Sequence, residues 1–82
     1  MKFTAVIHVR PKAEIRDPQG EAIAGGLRTL GLTIADVRAG KEIVVSFEAP
    51  DEKTAREAVD TMGKQLLANP VIEDFAGDVR PA

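Results

Sequence analysis

The chain has 82 residues, with 13 acidic and 11 basic side chains, a net charge of −2, one histidine and no cysteine. It forms one domain, 1–82, with a thin core, because a domain of this size buries only roughly 60–65% of the surface its unfolded chain exposes. Disulfides and thiolate chemistry are excluded, any metal would need carboxylates, and an acidic balance without Trp or Tyr leaves neither a phosphate-binding face nor a stacking platform for nucleic acid.

Phe3, Ala5, Ile7 and Val9 alternate with Thr4, Val6, His8 and Arg10, a period of two that predicts the first strand. A charged loop follows, then Asp17-Pro18-Gln19-Gly20. Asp17 is a good N-cap, and Pro18 suits the first helical position, where its missing N–H costs nothing. Ile23, Leu27 and Leu30 continue as one helical stripe, and Gly31 stands where a left-handed C-cap belongs. Gly25-Gly26 within this helix reads as close approach of the helix to the sheet.

Ile34, Ala35 and Val37 predict a second strand, turning at Val37-Arg38-Ala39-Gly40-Lys41 into a third strand that carries Ile43, Val45, Phe47 and Ala49. A second helix begins near Asp51, with Ala55, Ala58, Val59, Met62 and Leu66 on its apolar stripe. Its outer face pairs Glu52 with Arg56, Lys53 with Glu57 and Asp60 with Lys64. Asn69-Pro70 stops it, since proline disfavours the helical region for the residue before it. Val71, Ile72, Phe75 and Val79 make a last, irregular strand. The string β-α-β-β-α-β predicts an α+β two-layer sandwich: an antiparallel sheet, ferredoxin-like or of related strand order, with both helices on one face. The opposite sheet face, with Thr4, Val6, His8, Arg10, Val44, Ser46 and Glu48, is mixed, which favours association.

Catalytic motifs are missing. No glycine-rich phosphate loop follows a strand. His8 has no positioned partner motif, and Ser46, the only serine, has no elbow around it. Glu73 and Asp74 are strand neighbours that point to opposite faces. Asp17-Pro18-Gln19-Gly20 remains of interest, because a helix N-terminus with Arg10, Lys12 and Arg16 upstream attracts anions, although a capped turn explains it on physics alone. Gly20 weakens that first turn, which points to a close approach there. No apolar run approaches membrane-spanning length, and the alternating N-terminus does not read as a signal peptide, so a cytoplasmic protein is expected.

Asp17-Pro18-Gln19-Gly20, Val37-Arg38-Ala39-Gly40-Lys41 and Leu66-Leu67-Ala68-Asn69-Pro70-Val71-Ile72-Glu73-Asp74-Phe75 occur in this order across nearly the whole chain. Together they resemble the PurS subunit family of phosphoribosylformylglycinamidine synthase. The resemblance implies a part in the fourth step of purine synthesis, in which formylglycinamide ribonucleotide, ATP and glutamine yield formylglycinamidine ribonucleotide. It implies a large synthetase subunit and a cysteine-bearing glutaminase subunit as partners, bridged by this chain in support of ammonia transfer. It implies a homo-oligomer, a dimer in the complex and a dimer or tetramer alone. It implies no catalytic residue and no cofactor on this chain, with ATP and Mg on the synthetase subunit. Asp17, Pro18, Gln19, Gly20, Arg38, Gly40, Lys41, Asn69, Pro70, Val71 and Ile72 match the family motifs and are expected to be structural or interface residues. The alternative is a free-standing regulatory domain that binds a small ligand between paired protomers.

Overall fold

The computed structural model describes all residues, Met1–Ala82. Strand β1 (Lys2–Pro11) leads to helix α1 (Pro18–Thr29), strand β2 (Lys41–Glu48), helix α2 (Glu52–Met62), a π-helical turn (Gly63–Leu67) and strand β3 (Glu73–Pro81). The sheet is antiparallel in the order β2-β1-β3. The first strand is central, as the ferredoxin-like pattern has it. Phe3 lies opposite Phe47, Ala5 opposite Val45 and Ile7 opposite Ile43, so the alternation read in each strand lands on one shared face. No helix is long and apolar enough to cross a membrane.

The core sits between that face and α2. Phe3, Ala5, Ile7 and Val9 are buried, joined by Val79 of β3 and by Ala55 and Val59 of α2. Phe3 packs its ring on Phe47 at 6.1 Å between centroids. Phe3, Ile7 and Val9 are the largest fully buried side chains, each worth about 1.5–3 kcal/mol of apolar burial. Asp51 caps α2 by accepting from the Thr54 N–H at 2.7 Å. On its outer face Arg56 meets Glu52 at 3.0 Å and Lys64 meets Asp60 at 2.8 Å.

The α+β class holds, and three details within it differ from expectation. First, the stretch 34–37 joins no ladder, and 32–40 crosses to β2 without regular structure. The sheet therefore has three strands, and the turn at 37–41 closes no hairpin. Second, only α2 lies against the sheet. No residue of α1 belongs to the core cluster or packs on it. A Cβ at Gly25 or Gly26 would meet nothing within 4 Å, so these glycines do not serve close approach to the sheet. The apolar stripe of α1 is bare, with Ile23 42% and Leu30 76% exposed. The radius of gyration, 16.1 Å, exceeds the about 12 Å of a compact chain of this length, because α1 stands away from the body. Third, the stripe of the second helix breaks at its end. The π turn adds a residue to the helical turn. It rotates Leu66 out to 82% exposure and brings Leu67 onto the core. Gly63 permits this, because a Cβ there would collide with the Phe75 ring. Gly31 behaves as expected, with φ 89° after the last turn of α1.

Candidate functional site

The three sequence motifs meet at one end of the sheet, beside the loop that leaves β1. Asp17 is the hub. Its Oδ1 accepts from the Gly20 N–H at 3.0 Å, the expected cap, and its Oδ2 accepts from the Ala39 N–H at 2.6 Å. The first bond belongs to α1, and the second ties the returning chain to the helix start. Asp17 is buried at 7% exposure, yet two bonds satisfy its carboxylate and Arg38 lies nearby. The Gly20 N–H first, then the Ala39 N–H and the Arg38 charge, hold its pKa below the ordinary carboxylate value against the opposing cost of burial.

Arg38 turns inward rather than capping an exposed turn. Its Nη2 donates to the Lys12 carbonyl at 2.7 Å and to the Ile15 carbonyl at 2.6 Å. These are charge-assisted bonds to backbone acceptors, which fix the course of the β1–α1 loop. The two glycines admit close crossings. A Cβ at Gly20 would collide with the Val37 carbonyl oxygen, and one at Gly40 with the Val9 carbonyl oxygen. The close approach that Gly20 signals is thus the chain's own return.

The third motif reaches the same loop from the other side. The Asn69 Oδ1 accepts from the Val71 N–H at 3.0 Å, an Asx turn, and the Asn69 carbonyl accepts from the Glu73 N–H at 2.7 Å. The Glu73 carboxylate accepts in turn from the Asn69 N–H at 2.8 Å. Pro70 stands inside this turn, and the Ile72 carbonyl accepts from the Lys12 N–H at 2.8 Å. Lys12 Nζ meets Asp74 at 2.9 Å, a hydrogen bond and charge that raise the lysine pKa. Val71, at 77% exposure, and Leu66 are left on the surface.

Among the open clefts around the junction are two on its polar side chains. One, of about 300 Å3, is lined by Arg10, Asp36, Arg38 and Asp74 among others. The other, of about 260 Å3, has Gln19 and Lys41 on its wall. Two of the three upstream cations are taken by carboxylates. Arg16 pairs with Glu21 at 3.0 Å, which raises its pKa, and Lys12 is taken by Asp74. His8 faces Glu42 at 3.0 Å across the β1–β2 pair, with both side chains exposed. No three His, Asp or Glu side chains converge as a metal ion requires. The arrangement presents no activated nucleophile beside a base. What its polar contacts do is fasten the chain's own crossings. Sequence reasoning did not single out the carbonyls of Lys12 and Ile15 or the Ala39 N–H, because backbone groups carry no residue-type signal.

A family model for PurS, phosphoribosylformylglycinamidine (FGAM) synthase, matches residues 4–81. A PurS subunit from Synechocystis is 45% identical over 74 residues, covering 89% of this chain and 74% of that one. One from Mycobacterium leprae is 47% identical over 72 residues and covers 87% of both. Among solved structures, Thermus thermophilus PurS superposes with a TM-score of 0.91 at 36% identity, covering 100% of this chain and 99% of that one. A chain of PurLQS from Thermotoga maritima does so at 0.88 and 34% identity, over 98% and 99%. The motifs, the fold and these likenesses agree along the whole length, and the chain belongs to the PurS family of phosphoribosylformylglycinamidine synthase.

Proposed function

We propose that this chain is the small, non-catalytic subunit of a phosphoribosylformylglycinamidine synthase complex, where it bridges a large synthetase and a glutaminase and supports ammonia transfer between them. The observation that carries the reading is the full-length likeness to a chain of the Thermotoga maritima PurLQS structure. The bare stripe of α1 adds a physical reason, since a protomer with Ile23, Leu30 and Leu32 in water gains by burying them against another chain. In this reading the chain works as a homo-oligomer in the cytoplasm and binds no cofactor, while ATP and Mg act on the synthetase. Asp17, Pro18, Gln19, Gly20, Arg38, Gly40, Lys41 and Asn69 shape the junction. Val71 and Ile72 present an apolar edge to a partner. The free-standing regulatory domain has no support in the likenesses found.

The test is reconstitution with the two larger subunits. Leaving out this chain should lower glutamine-driven synthesis by roughly tenfold or more, the scale on which a tethered partner exceeds a free one. Synthesis driven by added ammonium should fall much less, because free ammonia bypasses the glutaminase. Equal glutamine-driven rates with and without the chain would overturn the bridging role.

A further inference from the structure

We propose that Asp17 and Arg38 form a polar lock that sets the angle at which an arm, residues 18–39, leaves the sheet, so that the arm can change pose as a unit while the sheet and α2 stay folded. The arm is held together by its own bonds. Arg28 donates from Nε and Nη2 to the Ile34 carbonyl at 3.2 and 2.9 Å, and the Leu32 N–H donates to the Leu27 carbonyl at 3.3 Å. Gly20 and Ala24 are buried within this region, and the Val37 carbonyl lies close over Gly20. None of its side chains joins the core.

The arm's fastening to the body is polar and confined to its base. One strap, the Ala39 N–H on Asp17, ties the arm's two roots to each other. The other is the Arg38 guanidinium on the Lys12 and Ile15 carbonyls of the loop that follows β1. Hydrogen bonds are short-ranged and directional, so they define an angle, and losing them leaves little else within the protomer to define it. Apolar packing, which holds α2, is non-directional and spread over many contacts. Hinges of this kind lie at element termini, where few residues absorb the change. The pose of the arm decides which neighbour meets Ile23, Leu30 and Leu32, its exposed apolar edge.

The absence of cysteine allows a direct test on the full chain. Spin labels on Thr29→Cys and Lys53→Cys span the arm and α2. A control pair on Lys53→Cys and Arg80→Cys stays within the body. Labelled chain is diluted in excess unlabelled chain, so that each distance comes from one protomer. With the lock intact, both pairs should give narrow distance distributions by pulsed dipolar spectroscopy. Asp17→Asn and Arg38→Met should each broaden the arm distribution to at least about twice its width and leave the control pair narrow, as a hinge requires. An arm distribution that keeps its width in both variants would overturn the lock. Broadening of both pairs together, including by loss of the fold, would overturn it too, because the two residues would then hold up the whole domain.

Discussion

The two helices begin alike and end in different circumstances. Each has an aspartate N-cap, Asp17 or Asp51, accepting from the N–H three residues on. Yet α2 buries Ala55 and Val59 on the sheet, whereas α1 leaves Ile23 and Leu30 in water. The cap of α2 only finishes a helix that packing already places. The cap of α1 takes a second bond from Ala39 and becomes part of how the helix is placed at all. Helical propensity and capping thus decide that a helix forms, and the location of an apolar partner decides where it goes. For α2 that partner is the sheet of the same chain, and for α1 the chain's own core offers none.

The strongest way to break this comparison is a charge on each stripe. Val59→Asp should cost more than about 3 kcal/mol, since it buries an unpaired carboxylate in the core, and urea unfolding should show the chain largely undone. Leu30→Asp should shift that transition by less than about 0.5 kcal/mol within the protomer. It should instead lower the mass seen by light scattering, through the oligomer contact proposed above. If Leu30→Asp unfolds the chain as Val59→Asp does, the two helices are not different in kind.

Two glycines sharpen the contrast inside α1 itself. Gly20→Ala sets a methyl against the Val37 carbonyl, and should destabilise by about 1–3 kcal/mol as an overpacked site does. Gly25→Ala faces open space and should stabilise by roughly 0.5–1 kcal/mol through lower unfolded-state entropy and better helix propensity. Opposite shifts of the two denaturation midpoints are the expected outcome. A loss at Gly25 would mean that something covers that part of α1.

Acid should weaken both caps. Backbone donors hold both carboxylates below their ordinary pKa: Gly20 and then Ala39 for Asp17, and Thr54 for Asp51. A folded pKa below the unfolded value of about 4 gives stability that is present above about pH 5 and lost as pH falls through the folded value. Thermal melts from neutral pH down to about pH 3 should therefore show a shallower loss in Asp17→Asn and in Asp51→Asn than in the parent chain. A variant whose acid profile matches the parent's would mean that its carboxylate contributes nothing through its hydrogen bonds.

The smallest effect belongs to the solvated face of α2. Arg56→Ala, which removes the exposed pair with Glu52, should change stability by less than about 0.5 kcal/mol, and added salt should shrink even that. A larger cost in a calorimetric melt would place this face against a partner.

Local chemistry determined a good part of this protein from sequence alone. Alternation in 3–9 and 43–47 marks two strands and their shared face, because successive side chains of a pleated strand point to opposite sides and only one side is buried. Asp17-Pro18, Asp51, Gly31 and Asn69-Pro70 mark helix ends, since caps and breakers act within a few residues. The motif blocks carried the family. What the tertiary structure decided is non-local. Ile34 to Val37 has a strand's composition and no strand to pair with, and β structure exists only when a partner supplies the ladder. Arg38 reads as a surface charge on a turn until the fold puts the Lys12 and Ile15 carbonyls within its reach. Leu66 follows the helical stripe until Phe75, from β3, meets Gly63, where the helix widens by a residue. The stripe of α1 has the same spacing as a buried one. Periodicity reports that a face is apolar, and only the packed chain shows whether its own sheet is there to cover it.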